Sequence, residues 1–134
     1  MSAQSERLKR RLDAIPKAVR EAVQPALIKS GQELAGTMEQ LAPVDSGDLK
    51  DSIHVTPPGQ ATPSYSQPGG SRVAGDTEVL ITVGNSDVRY PHLVEYGTAD
   101  TVAQPFFWPA FRLNRKRLAN RIKRAVRKAV KDAT

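Results

Sequence analysis

Apolar residues recur at three- and four-residue steps over the first third of the chain. Leu8, Leu12, Ile15, Val19, Val23 and Leu27 lead the series, and Leu34, Met38 and Leu41 continue it. This is one face of a 3.6-residue period and predicts helix over residues 5–41, with Ser5 placed to cap its start. Pro16 and Pro25 fall inside the pattern. Each lacks a backbone N–H and crowds the preceding turn, so a break or kink is expected near each. Pro16 also suits the first position of a second helix.

The rhythm changes after Pro43. In "PVDSGDLKDSIHV", Asp45 or Ser46 can accept backbone N–H groups in a turn, and Gly47 opens conformations closed to other residues. "DLKDSI" fits one short helical turn. Residues 52–56 then alternate as a strand, Ile53 and Val55 to one side and His54 to the other. The clearest strand is "EVLITVG", residues 78–84, where Val79, Ile81 and Val83 alternate with Leu80 and Thr82. The two strands predict a hairpin around residues 57–77. That segment holds four prolines and four glycines in 21 positions and reads as a long mobile loop with nothing to pack in a core. "PHLVEYG" suits a short helix or turn closed by Gly97.

A final helix is predicted over residues 109–133, with Pro109 at its first position. Phe111, Leu118, Ile122, Val126 and Val130 give its apolar rhythm, and Ala119, Ala125 and Ala129 lie beside them. The fold class is therefore α+β: N-terminal helices, a small antiparallel β-sheet with a long Pro/Gly-rich hairpin loop, and a C-terminal basic helix. A chain of 134 residues accommodates one such core, so 1–134 is read as a single domain.

Charge sharpens the picture of the last helix. Ten lysines and arginines lie between Arg112 and Lys131 with no acid among them, while the rest of the chain carries ten basic residues against all fourteen acids. The basic character is local. Like charges this dense repel one another on a helix and are easier to accommodate beside phosphate or beside an acidic neighbour. Arg121, Arg124, Lys128 and Lys131 are the candidates for contact with DNA or an acidic partner, and a solvated helix face is the competing explanation. A membrane-surface helix fits less well, because its apolar face is mostly Val, Ile and Ala.

Little else carries chemistry. The chain has no cysteine, which excludes disulfides, thiolate metal sites and cysteine nucleophiles. No apolar run is long enough to cross a bilayer, and the N-terminus has no continuous apolar segment of a signal peptide, so a soluble protein is expected. His92 and Glu95, three apart, supply two metal ligands without a third, and a surface histidine near a carboxylate explains them better. His54 has no visible partner. Asp45, Asp48 and Asp51 lack the spacing of a calcium loop and suit capping and solvation. No phosphate-binding glycine loop is present. No catalytic, cofactor or metal residue is expected, and no enzyme.

The aromatic residues are concentrated. Four of the seven, Phe106, Phe107, Trp108 and Phe111, lie within six positions, with Tyr90 and Tyr96 just upstream. Some of these rings must anchor the final helix. Others, with Glu95 and Tyr96, are the candidate contact with a neighbouring subunit: the set is Glu95, Tyr96, Phe106, Phe107, Trp108 and Phe111.

Three segments in order, "LAPVDSGDLKDSI" (41–53), "YPHLVEYGT" (90–98) and "AQPFFWPAF" (103–111), resemble the minor tail or tail-completion family of long-tailed phages. Ser46 stands where that pattern commonly has Thr, and Phe107 and Trp108 make the third segment unusually aromatic. The resemblance implies a structural virion protein at the head–tail junction. It would form a homo-oligomeric ring, expected to be a hexamer, around the channel for double-stranded DNA. Its neighbours would be the head connector and the tail-tube protein, and assembly would take place in the host cytoplasm without membrane or cofactor. A tail terminator capping the tube is the variant of this expectation. A nucleic-acid-binding protein using the basic helix is the alternative from another class.

Overall fold

The computed structural model describes residues 5–7, 10, 16–43 and 47–133. Two long helices dominate it: α1, Lys17–Leu41, and α4, Phe107–Ala133. Between them come α2 (Gly47–Asp51), β1 (His54–Thr56), β2 (Leu80–Thr82) and α3 (Pro91–Tyr96). The architecture is α+β, as the apolar pattern indicates. Leu8, Leu12, Ile15, Asp45 and Ser46 lie outside the described residues, and Ser5 is already helical.

α1 buries Val19, Val23, Leu27, Leu34 and Met38, the stripe expected from the sequence. Pro16 is its N-cap, one position before the place foreseen for it. Pro25 sits inside the helix without ending it. The hydrogen bond lost there is offset by burial of Val23 and Leu27 on either side, each worth roughly 1.5–3 kcal/mol.

α4 runs antiparallel to α1 and its apolar stripe meets that of α1 in two clusters. Near the start of α1, Val19, Val23 and Leu27 pack with Ala129, Ile122 and Val126. Near its end, Leu34 and Met38 join Leu49, Val83, Val88, Phe106, Phe107, Ala110 and Leu118. Val130, expected on the buried stripe, is 41% exposed, and Ala129 takes the inward position. Gly31 lets the sheet approach α1: a Cβ there would stand 2.6 Å from Val79 Cγ1 and 3.1 Å from Val55 Cγ1.

β1 and β2 pair antiparallel, with His54 opposite Thr82, Val55 opposite Ile81 and Thr56 opposite Leu80. β2 is shorter than the apolar run suggests. Glu78 turns away from the ladder to accept hydrogen bonds from Arg72 (2.8 Å) and the Gly75 amide (2.9 Å), and Val83 pairs with Gln67 instead of β1.

Residues 57–77 do contribute to the interior, contrary to the expectation from composition. Ala74, Thr62, Ser66 and Thr77 are buried, and Ala61 bridges Val73. Asp76 ties the segment to α1, accepting from Gln24 Nε2 through its carbonyl (2.9 Å) and pairing with Arg20 through its carboxylate (2.9 Å). The Arg89 guanidinium lies 3.9 Å from the centre of the Tyr65 ring. Small hydroxyl and methyl side chains fill this contact, which apolar patterning does not register.

Candidate functional site

The aromatic segment begins α4, and its start is set by a residue from another element. The first amides of a helix have no intrahelical acceptor, and the usual solution is a local Ser, Thr, Asp or Asn side chain. Here Phe106 precedes the helix and offers none. The Glu95 carboxylate, on α3, supplies the acceptors. Its Oε1 takes the amides of Phe106 (3.0 Å) and Phe107 (2.9 Å), and its Oε2 takes that of Trp108 (3.3 Å). Glu95 is buried, and its negative charge faces the positive end of the helix dipole. α4 therefore starts two residues before Pro109. A proline at the third helical position loses nothing, since its N–H would have had no intrahelical partner.

α3 is short and closed as expected. Pro91 opens it, and the Gly97 amide donates to Leu93 O at 2.8 Å with φ of 75°. A Cβ at Gly97 would lie 2.7 Å from Ala103 N and 2.8 Å from Thr101 O. Only glycine permits this left-handed turn and this approach. Thr98 Oγ1 accepts from the amides of Asp100 and Thr101, and the Gln104 amide donates to Val94 O at 2.8 Å, which brings residue 106 back to Glu95.

Phe106 and Phe107 point into the core. Trp108 and Phe111 are half-buried, with edge-to-face ring contacts of 4.9 Å (Phe107 to Trp108) and 6.1 Å (Trp108 to Phe111). Tyr96 is 69% exposed, and its hydroxyl accepts from Trp108 Nε1 at 2.8 Å. Of the six residues selected from sequence, Glu95, Phe106 and Phe107 are thus turned inward, while Tyr96, Trp108 and Phe111 keep surface on the outside.

Two shallow clefts flank α3. One, of about 290 Å³, lies between Gln67–Gly69 and the side bearing His92, Tyr96 and Trp108. The other, of about 330 Å³, is lined by Pro43, Leu93, Val94 and Val102 among others, and Leu93 and Val102 are exposed.

His92 and Glu95 do not converge: His92 Nδ1 faces Gln67 Nε2 at 3.2 Å, while Glu95 faces α4. His54, Asp48 and Asp51 are exposed, and Asp45 lies outside the described residues. Among the described residues no three His, Cys, Asp or Glu side chains gather where they could hold a metal ion, and no helix is long and apolar enough to cross a membrane.

Ser52, in the first resembling segment, is a structural pin. Its buried hydroxyl donates to Leu49 O at 2.6 Å and accepts from the Gly84 amide at 3.0 Å. That joins α2 to the end of β2.

The basic residues of α4 divide into two groups. Arg117 and Arg121 turn toward α1, where Glu33 Oε2 lies 2.8 Å from an Nη1 of each. Arg117 Nη2 also donates to Asn114 Oδ1 at 2.8 Å, and Asn114 Nδ2 reaches Thr37 Oγ1 at 3.2 Å. The Arg121 and Arg117 guanidinium groups hold the Glu33 carboxyl below the ordinary carboxylate range. Arg121 is therefore engaged within the chain, whereas Arg124 and Lys128 are exposed. Lys131 is exposed and has a contact of its own within the molecule.

The fold and these contacts define a small α+β structural chain in which the most distinctive residues, Ser52, Glu95 and Gly97, fasten elements together. The chain belongs to the family described as "Bacteriophage HK97-gp10, putative tail-component", whose model matches residues 6–97. The match takes in the first resembling segment, the second as far as Gly97 and all of α3, including Glu95, but not α4. No curated protein and no solved structure matches the chain.

Proposed function

We propose that the chain is a non-catalytic virion subunit of the phage head–tail junction, where copies form a ring around the DNA channel and join the head connector to the tail tube. Family membership supports a tail component. The observation that carries the finer reading is the surface around α3. Tyr96, Leu93 and Val102 are exposed apolar side chains beside two shallow clefts, on a segment that hydrogen bonds of Glu95, Gly97 and Gln104 tie to α3 and α4. Exposed apolar groups on a hydrogen-bonded segment beside an aromatic cluster suit a protein–protein contact.

In this reading Tyr96, Trp108 and Phe111 touch the adjacent subunit, and Glu95, Phe106 and Phe107 act through them by fixing their positions. A head-to-tail ring requires two different faces on each subunit, and α3 supplies one. A hexamer is the proposed order. Assembly takes place in the host cytoplasm, without cofactor or membrane. A tail terminator at the top of the tube is the variant that uses the same surface.

Purified virions test this. Mass spectrometry and a reconstruction of the neck are expected to find the chain as a ring between head and tail tube. Its absence from particles would refute the reading. A ring resolved at the tube end, below the neck, would favour the terminator. In solution, Tyr96→Ala with Leu93→Ala is expected to weaken self-association at least tenfold while leaving the circular dichroism spectrum unchanged.

A further inference from the structure

We infer that the outward face of α4 is a sequence-independent binding surface for the phosphate backbone of double-stranded DNA, carried by Arg112, Lys116, Lys123 and Arg127. This names the face for the DNA contact in the junction reading, but it rests on the helix alone and stands or falls separately.

The side of α4 that meets α1 carries Ala110, Asn114, Leu118 and Ala129, with Ile122 and Val126 partly buried beside them. Arg112, Lys116, Lys123 and Arg127 follow one another at steps of four, seven and four residues, which keeps them on one side of the helix. That side is opposite the buried one, all four are exposed, and none joins an ion pair among the described residues. At 1.5 Å per residue they span about 22 Å, with neighbours in each pair about 6 Å apart. No acid lies between Arg112 and Lys131 to neutralise them.

Arg117 and Arg121 are different. They lie on the flank toward α1 and share the single Glu33 carboxylate. The helix thus places an unneutralised row outward and keeps its paired cations to the side.

Three features select the occupant. A membrane-surface helix needs a free apolar face, and the apolar face of α4 is occupied by α1. A single-stranded nucleic acid is held by aromatic side chains on which its unpaired bases stack, and the outward face has no aromatic residue. An acidic protein surface would have to present a matching row. The exposed acids of a second copy are scattered: Glu21 and Asp132 lie on different long helices, Asp48 and Asp51 on a five-residue helix, and Asp76, Asp87 and Asp100 in turns and loops. Glu21 and Asp76 are already paired, with Lys17 and Arg20 respectively. A continuous polyanion matches a straight row of cations, and contact restricted to phosphates permits the DNA to move along it.

The test is fluorescence anisotropy with a labelled mixed-sequence duplex and the full chain, over a range of salt. Four phosphate contacts give a log–log salt slope of about −3.6, or about 150-fold weaker binding at about 200 mM than at about 50 mM salt. Lys123→Gln with Arg127→Gln is expected to reduce the slope by about half. Arg124→Gln with Lys128→Gln removes the same charge from the flank and is expected to leave the slope within about 0.5 of the parent. Equal losses in both variants would overturn the assignment of the face. Absence of binding at low salt would overturn the proposal while leaving the virion result untouched. Loss of self-association in the Lys123/Arg127 variant, with DNA affinity unchanged, would overturn it in favour of a second copy as partner. All these positions are exposed, and a thermal melt matching the parent verifies that each variant is folded.

Discussion

The two ends of α4 are held in different ways. At its start, a buried carboxylate satisfies three amides and the rings of Phe107, Trp108 and Phe111 meet edge to face. At its far end, Ile122, Val126 and Ala129 lie against Val19, Val23 and Leu27 through small contacts between aliphatic groups. The first end depends on a few groups of definite geometry and the second on summed area. Loss of one group at the start should therefore be severe, while single losses at the far end should be mild. The difference also explains where surface can be offered to a partner. A helix fixed at its first turn can present rings with defined orientation, and its distal half can be left to charge.

The comparison breaks most readily at Glu95. Glu95→Ala leaves three amides without their acceptor, two of them buried, and is expected to cost about 3 kcal/mol in denaturant unfolding. Glu95→Gln retains one acceptor oxygen and should recover about half of that loss. If Glu95→Ala costs less than 1 kcal/mol, about the value of a single exposed cap, the contrast between the two ends is wrong. Gly97→Ala comes next, at about 2 kcal/mol, because it adds both a Cβ at positive φ and a contact with the Thr101–Ala103 backbone. Val126→Ala, at the aliphatic end, is expected to cost about 1 kcal/mol in the same assay.

The smallest effect concerns Glu33. Its folded-state pKa is depressed by Arg121 and Arg117, so its contribution to stability is present above the ordinary carboxylate range and is lost as pH falls through the lowered value. The Glu33→Gln variant should lack that part of the acid-side decline. Parallel melting-temperature profiles for parent and variant from neutral pH down to about pH 3 would show that the ion pairs are without effect.

Much of the fold is written in local spacing. The α1 stripe, the short helix ending at Gly97, the strand pair and the basic final helix all follow from periodicity, a glycine or a block of like charge. The role of Glu95 is not local. It stands three residues after His92, and that spacing draws attention to a shared helical face, whereas its acceptors serve amides 11 to 13 residues further on. One signal does exist in the chain: the Phe106–Trp108 start offers no side-chain cap of its own, so an acceptor must come from elsewhere. The loop over residues 57–77 was harder to read for a different reason. Its buried members are Ala, Thr and Ser, which burial selects by size, and hydropathy treats them as neutral. Charge counting along α4 finds the cations but not their directions. The pairing of Arg117 and Arg121 depends on Glu33, more than 80 residues earlier in the chain.

The antiparallel pairing of α1 with α4 has a consequence for the time at which this chain folds. Val19 and Ala129 belong to one cluster although they stand near opposite termini. On a ribosome, α1 is complete long before α4 has been made, and Val19, Val23 and Leu27 wait for Ile122, Val126 and Ala129 until the last turns of α4 emerge. Contacts between such distant segments form only after a large loop is closed, which slows folding and leaves no stable half-product. Each molecule therefore reaches its final shape only once α4 has been made, and a chain cut short within α4 lacks the partners of Val19, Val23 and Leu27, which leaves that end of α1 open to aggregation.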